Sequence, residues 1–329
     1  QSEKGLYSCL VDANRDLAMI PSLAIHMNRN ANETASCHVQ SDMLPVFGDE
    51  TCEGTFSAFI AQLAGVKKEQ IAASDLFLYN RTHPSLWGAC SEFFSSPRLD
   101  DLQCAYASVQ ALIGSSSSDP CNSQGTDCGH RINVCCVFDH EEVGSGTKQG
   151  ADSTFLQDVL ERISLSLNKP REDFLRMLAG SFLLSADNSH AVHPNHMEKA
   201  DPVNRPSLNG GVVLKFNANQ KYTTDAVSAA VFRDICRKAG VPVQDYANHS
   251  DIAGGSTLGN ISSSHISIDT VDIGCPQLAM HSPYETTGVK DTWYMIQAMQ
   301  TFYQSEIVKE PDGMIRIISF QVNQQETAG

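Results

Sequence analysis

Ile132-Asn133-Val134-Cys135-Cys136-Val137-Phe138-Asp139-His140-Glu141-Glu142-Val143-Gly144-Ser145-Gly146 is the stretch on which the reading of the fold turns. Its first seven residues are mostly apolar and β-prone, and read as a buried strand. The acids then stand where that strand ends, which in an open α/β sheet is where ligands bind. Two adjacent glutamates backed by glycines are costly there unless they are exposed, paired or bound to metal. One can ligate a metal while its neighbour acts as a base.

Working outward, residues 76–79 and 182–184 read as strands, the second ending at Asp187. Residues 212–216 and 271–273 read as further strands, the last preceding His281. Between them, residues 102–113 read as a helix with Leu102, Tyr106, Val109 and Ile113 on one face, followed by a surface loop from Gly114 to Ser118. Ser153 is placed to cap a helix bearing Phe155, Leu156, Val159, Leu160 and Ile163. Thr224 is placed to cap one over 225–238, which Gly240 ends. Strands alternating with helices imply an α/β protein with a mixed, mostly parallel sheet flanked by helices.

Residues 1–75 stand apart, with short apolar runs at 17–20 and 44–47 and a helical pattern from Phe56 to Leu63. Residues 76–310 form the catalytic domain on this reading, and 311–329 a tail in which 314–320 is a candidate edge strand. An opening at Gln1, without methionine, reads as a chain that begins inside a longer protein.

The chain has 329 residues, 41% of them apolar, and a net charge of −15. That acidity argues against nucleic acid or an anionic membrane as the main partner, since both call for basic patches. No run of about 18 apolar residues suggests a membrane span. Eleven cysteines at irregular spacings, several inside apolar runs, read as free thiols of a cytoplasmic protein. Cys121 and Cys128 lack a C-x2-C pattern and read as ordinary thiols.

Four places share one design, an element end that presents an acid or an imidazole: Asp100, the pair Glu141 and Glu142, Asp187, and His281. Taken singly, Asp100 could cap its helix, and Asp187 and His281 could be ordinary polar residues. Together with the glutamates they suit zinc, manganese or cobalt, and a bridging carboxylate holds two such ions.

Pro97-Arg98-Leu99-Asp100, the run 139–145, Ser185-Ala186-Asp187 with His190-Ala191-Val192-His193, and Pro276-Gln277-Leu278-Ala279-Met280-His281-Ser282 resemble, in their order along the chain, the M18 family of aspartyl aminopeptidases. Pro21-Ser22-Leu23-Ala24-Ile25-His26-Met27-Asn28-Arg29 resembles a further family segment. The resemblance implies a di-zinc exopeptidase-like catalytic domain that removes N-terminal Asp or Glu from peptides. Asp100 then matches the bridging ligand, Glu142 and His281 ligands of one ion, and Asp187 a ligand of the other. Glu141 matches the general base acting on a metal-bridged water.

Lys215, followed by Tyr222, matches the position the family uses near the acidic side chain of the substrate. His190 and His193 are candidates for orienting substrate or ligands. His26 matches a histidine that reaches a neighbouring subunit from an inserted dimerisation domain, so residues 1–75 read as a remnant of that domain. Assembly into a dimer-based dodecamer is implied as well. The family's His-Thr-Asp-Ser-Pro motif is missing, and His249-Ser250-Asp251 falls in a different family segment. Two alternatives follow: a di-zinc exopeptidase of other first-residue preference, or a metal-poor, non-catalytic assembly subunit.

Overall fold

A strand that is apolar at nearly every position must be covered on both faces, and residues 212–216 are so placed at the centre of a four-stranded sheet. The computed structural model describes residues 5–33, 36–117, 131–252 and 254–319. The chain divides into two compact units, Gln1–Arg81 and Thr82–Gly329.

The first unit holds two helices, α1 (Val39–Asp42) and α2 (Phe56–Leu63), and an antiparallel bridge between Met19 and Val46. Its apolar contacts are local. The Phe47 ring meets Phe56 at 5.1 Å and Phe59 at 5.7 Å, and the Arg15 guanidinium lies 5.2 Å from the Phe59 ring centre. Residues 76–79, expected as a strand, are exposed and join no ladder among the described residues.

In the second unit the sequence-read strands appear as β3 (Phe182–Ala186), β5 (Val212–Phe216) and β7 (Asp269–Gly274). The order of strands in chain sequence is β1 (Ser85–Trp87), β2 (Phe93–Ser96), β3, β4 (Ser189–His190), β5, β6 (Val243–Ala247), β7, β8 (Pro276–Leu278), β9 (Glu285–Gly288), β10 (Ser305–Lys309) and β11 (Ile315–Ser319). One sheet runs β3-β7-β5-β6, with β3 parallel to β7, β5 parallel to β6, and β5 antiparallel to β7. A second runs β1-β2-β9-β8-β4, in which only β4 and β8 are parallel. Hydrogen bonds from Asp187 N to Ile273 O and from Ser189 N to Cys275 O bridge the break between them. The candidate ligand Asp187 thus sits at the seam. The tail contributes β11, which pairs with β10 in a separate hairpin.

The helices of this unit are α3 (Leu99–Ser117), α4 (Phe155–Ser166), α5 (Arg171–Gly180), α6 (Ala226–Ala239), α7 (Leu258–Ser262) and α8 (Asp291–Tyr303). The core joins Val212, Leu214, Val271 and Ile273 of the sheet to Phe232 and Cys236 of α6 and to Met295, Ala298 and Met299 of α8. Strand alternation sends the intervening residues Val213, Lys215, Asp272 and Ser185 to the opposite face. There Val213 packs with Tyr222 and Tyr246, and α7 lies against β3 and β7.

Four further expectations are corrected. Residues 132–138 are not a strand: they form no ladder among the described residues, and are tied to Tyr303 instead, the Asn133 side-chain amide donating to Tyr303 O and Val134 O accepting from the Tyr303 hydroxyl. Apolar content alone cannot supply a neighbouring strand. The expected apolar face of α3 is outward, with Leu102 59% and Ile113 56% exposed. Its buried face is the small-residue set Cys104, Ala107 and Ala111, which lets α8 approach closely. Gly114 to Ser117 continue α3 rather than forming a loop. Finally, α6 is capped by Asp225, whose carboxylate accepts from Ser228 N, while Thr224 binds the backbone of Asp272. Gly240, at φ 67°, ends α6 as expected. Cys121 and Cys128 lie outside the described residues, and the nine described cysteines are free. No helix among the described residues is long and apolar enough to cross a membrane.

Candidate metal centre

Asp100 and Asp101 open α3, and the structure separates their roles. Asp101 Oδ1 accepts from Cys104 N at 3.3 Å, three residues on, which is the work of a cap. That leaves the buried Asp100 carboxylate to meet His281 instead. The peptide between them is cis.

Asp100 belongs to two groups of potential ligands whose donor atoms lie within 4.8 Å of one another: Asp100 with Glu142 and His281, and Asp100 with Asp101 and Asp187. His281 Nε2 stands 3.1 Å from Asp100 Oδ2 and 3.3 Å from Glu142 Oε2. Asp100 Oδ1 is buried without a hydrogen-bond partner. A carboxylate common to both groups, with an orphaned oxygen and an imidazole beside it, is a donor set that fits divalent ions.

Charge crowding is the electrostatic signature of the site. Burial, then the carboxylates of Asp187, Glu142 and Glu285, push the Asp100 carboxyl up to about 8, with Lys215 opposing. Burial, followed by Cys104 and Asp187, also raises Asp101 well above the usual carboxylate range. Clustered carboxyls pushed upward in this way are what a cation would relieve. Glu141 is half-buried and belongs to neither group. Burial, then Asp187 and Glu142, raise its carboxyl, while Lys215 and His281 pull it down. A raised carboxyl next to these candidate ligands is suited to accepting a proton.

The turns that carry these groups share an unusual backbone. Arg98, His140, Ala279 and His281 all lie at φ between 58° and 66°, a region that non-glycine residues enter rarely. Such strain collects where surrounding contacts over-determine a functional geometry. Two side chains supply those contacts. Glu285, 2% exposed, accepts from Asp100 N at 2.8 Å and from His281 N at 2.7 Å, so one carboxylate joins the two turns that carry these candidate ligands. Asn188, also buried, donates to Leu99 O at 2.9 Å and to Gln277 Oε1 at 3.0 Å, pinning the turn after Asp187 to the start of α3. Asp101, Glu285 and Asn188 had no sequence-level signal beyond adjacency to Asp100, His281 and Asp187.

Lys215, at 3% exposure, places Nζ 3.3 Å from Asp187 Oδ2 and 5.6 Å from the Tyr222 ring centre. Burial works against its charge, yet the Asp187 and Asp272 carboxylates outweigh burial and raise its proton affinity. It is therefore a buried cation at the edge of an acidic centre. His190 lies 6.2 Å from the Tyr246 ring. Crowding of its imidazole by packed atoms, with Lys215 and His281 adding to it, lowers its proton affinity although part of the residue remains exposed. His193 is exposed and is engaged within its own loop, accepting from Asn195 N and stacking 5.0 Å from His196. His249 likewise accepts from Asp251 N. His26 is exposed in a turn of the first unit.

Comparison with known proteins gives a consistent answer. Residues 1–303 match the family described as Aminopeptidase I zinc metalloprotease (M18). The chain is 48% identical over 298 residues to a "Probable M18 family aminopeptidase 2" of Clostridium novyi, and 46% identical to the protein of that name from Clostridium acetobutylicum. In each case 89% of this chain is matched, and it spans 66% of the relative's length. Among solved structures, a chain of the Ape4 and Nbr1 complex superposes with a TM-score of 0.82 at 34% identity, covering 89% of this chain and 58% of that one. The S. cerevisiae mApe1 dodecamer superposes with a TM-score of 0.72 at 27% identity, covering 92% and 66%. With the family match running through Asp100, Glu142, Asp187 and His281, this chain belongs to the M18 aminopeptidase family.

Proposed function

We propose that the protein is a cytoplasmic metallo-aminopeptidase that releases N-terminal Asp or Glu from peptides, and that it works as a dimer-based dodecamer. The observation that carries the activity is Asp100, shared by two ligand groups and left with a buried, unpartnered oxygen. Asp100, Glu142 and His281 would hold one divalent ion, and Asp100 with Asp187 the other. Two such ions polarise a scissile carbonyl and make hydroxide available at neutral pH. Glu141 takes the proton of the attacking water and passes it to the leaving amine, a transfer that its raised carboxyl favours.

The preference for acidic residues rests on Lys215. An overall charge of −15 repels an acidic substrate, so a local cation is required, and Lys215 lies within hydrogen-bonding reach of Asp187. Tyr222 walls the same place with its ring. His190 and His193 are placed on the segment that follows Asp187 and would orient substrate. His26 would act from a neighbouring subunit, with residues 1–75 as part of an inserted dimerisation domain; the dodecameric assembly of the S. cerevisiae relative supports that arrangement.

Assay of aspartyl-, glutamyl- and leucyl-anilides, with elemental analysis of the same preparation, tests the proposal. Two metals per chain and faster cleavage of the two acidic substrates are expected. Equal cleavage of the leucyl substrate would leave a di-metal exopeptidase of other specificity. Fewer than one metal per chain with no cleavage would leave a non-catalytic assembly subunit.

A further inference from the structure

Behind Lys215, on the face of the sheet turned away from the main core, lies a carboxylate that the proposed reaction does not use. Asp272 is fully buried, yet it follows Val271 and precedes Ile273, both core residues. Strand alternation alone therefore turns it toward the site face. The antiparallel register of β5 and β7 pairs Val213 with Gly274 and Leu214 with Ile273. One step further along, Lys215 stands beside Asp272.

The carboxylate collects hydrogen bonds from three separate segments. Oδ1 accepts from Ser185 Oγ at 2.5 Å and from Thr257 Oγ1 at 2.8 Å. Oδ2 accepts from Thr223 N at 2.5 Å and from Thr223 Oγ1 at 2.7 Å. Ser185 Oγ in turn accepts from Gly259 N at 2.9 Å. Asp272 thus ties β3, two residues before Asp187, to the turn that follows Tyr222 and to the start of α7. A Cβ on Gly259 would come within 2.7 Å of the Ser185 side chain and 3.1 Å of Asp272 Oδ1, so the fit leaves no slack.

Lys215 is ion-paired with Asp187, and the charge of Asp272, beside it in the register, also acts on it. A divalent ion bound at Asp187 would compete for the charge that now holds the ammonium at 3.3 Å. Asp272 has no such second duty. It is enclosed by donors and remains as the fixed anion that keeps the lysine where it is.

We infer that Asp272 is a positioning residue for recognition of an acidic N-terminal side chain, holding Lys215 and the Tyr222 turn in place through one buried carboxylate. This rests on reading Lys215 as the residue that meets that side chain. Replacing Asp272 with Asn turns an acceptor into a donor facing donors. The geometry of Lys215 and Tyr222 then relaxes, while the turns that carry Asp100 and His281 keep their own supports, Glu285 and Asn188.

The test is the selectivity of the metal-loaded protein for aspartyl- over leucyl-anilide in wild type, Asp272→Asn and Thr223→Val. In Asp272→Asn, KM for the aspartyl substrate is expected to rise about tenfold with kcat little changed, and the selectivity ratio to fall by about as much. Thr223→Val removes one donor and is expected to shift both about threefold in the same direction; it carries the test alone if Asp272→Asn does not fold. Metal content should be unchanged in both. A wild-type preference kept intact in the variants, or a parallel loss on both substrates that tracks metal content or thermal stability, overturns the inference alone. A wild type that cleaves both substrates equally removes the Lys215 reading and this inference together.

Discussion

Asp100 shows how one carboxylate acquires a role that its identity does not dictate. Its neighbour Asp101 takes the capping bond to Cys104 N, and Glu285 holds its backbone N–H. Because its folded-state carboxyl is raised to about 8, a proton competes with any cation for it below that pH. Zinc affinity is therefore expected to rise with pH between about 6 and 8 and to level off above, with proton release seen by calorimetry in buffers of different ionisation heat. A pH-independent affinity without proton release would contradict this. The sign for the metal-free protein is opposite: its folded state holds a proton that the unfolded chain has lost, so this group's contribution to stability declines as pH rises from about 4 through about 8.

Two substitutions separate ligand support from chemistry at this scale. Glu141→Gln is expected to retain metal and lose about 10²- to 10⁴-fold in turnover, measured as kcat beside elemental analysis. Glu285→Gln puts a donor against Asp100 N or His281 N, and is expected to weaken zinc affinity about 10- to 100-fold in a competition titration with a chelator. Unchanged affinity would remove Glu285 from the design of the site.

At the scale of elements, the strands 182–184, 212–216 and 271–273 and the helix ending at Gly240 were legible because each carries a run of core residues bounded by turn chemistry. The inward face of α3 was not. Large apolar residues recur on one side of that helix, yet the side that packs on α8 is Cys104, Ala107 and Ala111, because small side chains permit close helix contact. Close approach also decides Gly274 at the end of β7. A Cβ there would stand 2.1 Å from Asp187 O and 3.1 Å from Lys215 Cε. Gly274→Ala is expected to destabilise the fold by about 2 to 3 kcal/mol and to displace Asp187, read as a lowered unfolding midpoint together with weaker metal uptake. A variant of wild-type stability and metal affinity would show that the seam can shift freely.

For the whole molecule, the proposed action of His26 across subunits makes assembly part of catalysis. Mixing subunits of an inactive His26→Ala protein with subunits of Glu141→Gln, after dissociation and reassembly, is expected to restore activity to about a quarter or less of wild type in sites that draw each residue from a different chain. Activity that never exceeds that of the separate variants would place His26 outside the site.

The amino-acid order alone determined the alternating α/β pattern and the strong local strands, and it singled out Asp100, Glu141, Glu142, Asp187 and His281 as candidates, because residue type and short motifs are local properties. Only the tertiary structure decided which acid of Asp100-Asp101 serves as cap, which face of α3 is buried, that residues 132–138 join no ladder among the described residues, and which segments the carboxylates of Glu285 and Asp272 and the amide of Asn188 join. For the start of α3 they depend on partners 89 and 185 residues away, Asn188 and Glu285, and for Asp272 on strand register. A side chain's role as a staple exists only once the two segments it joins have been brought together.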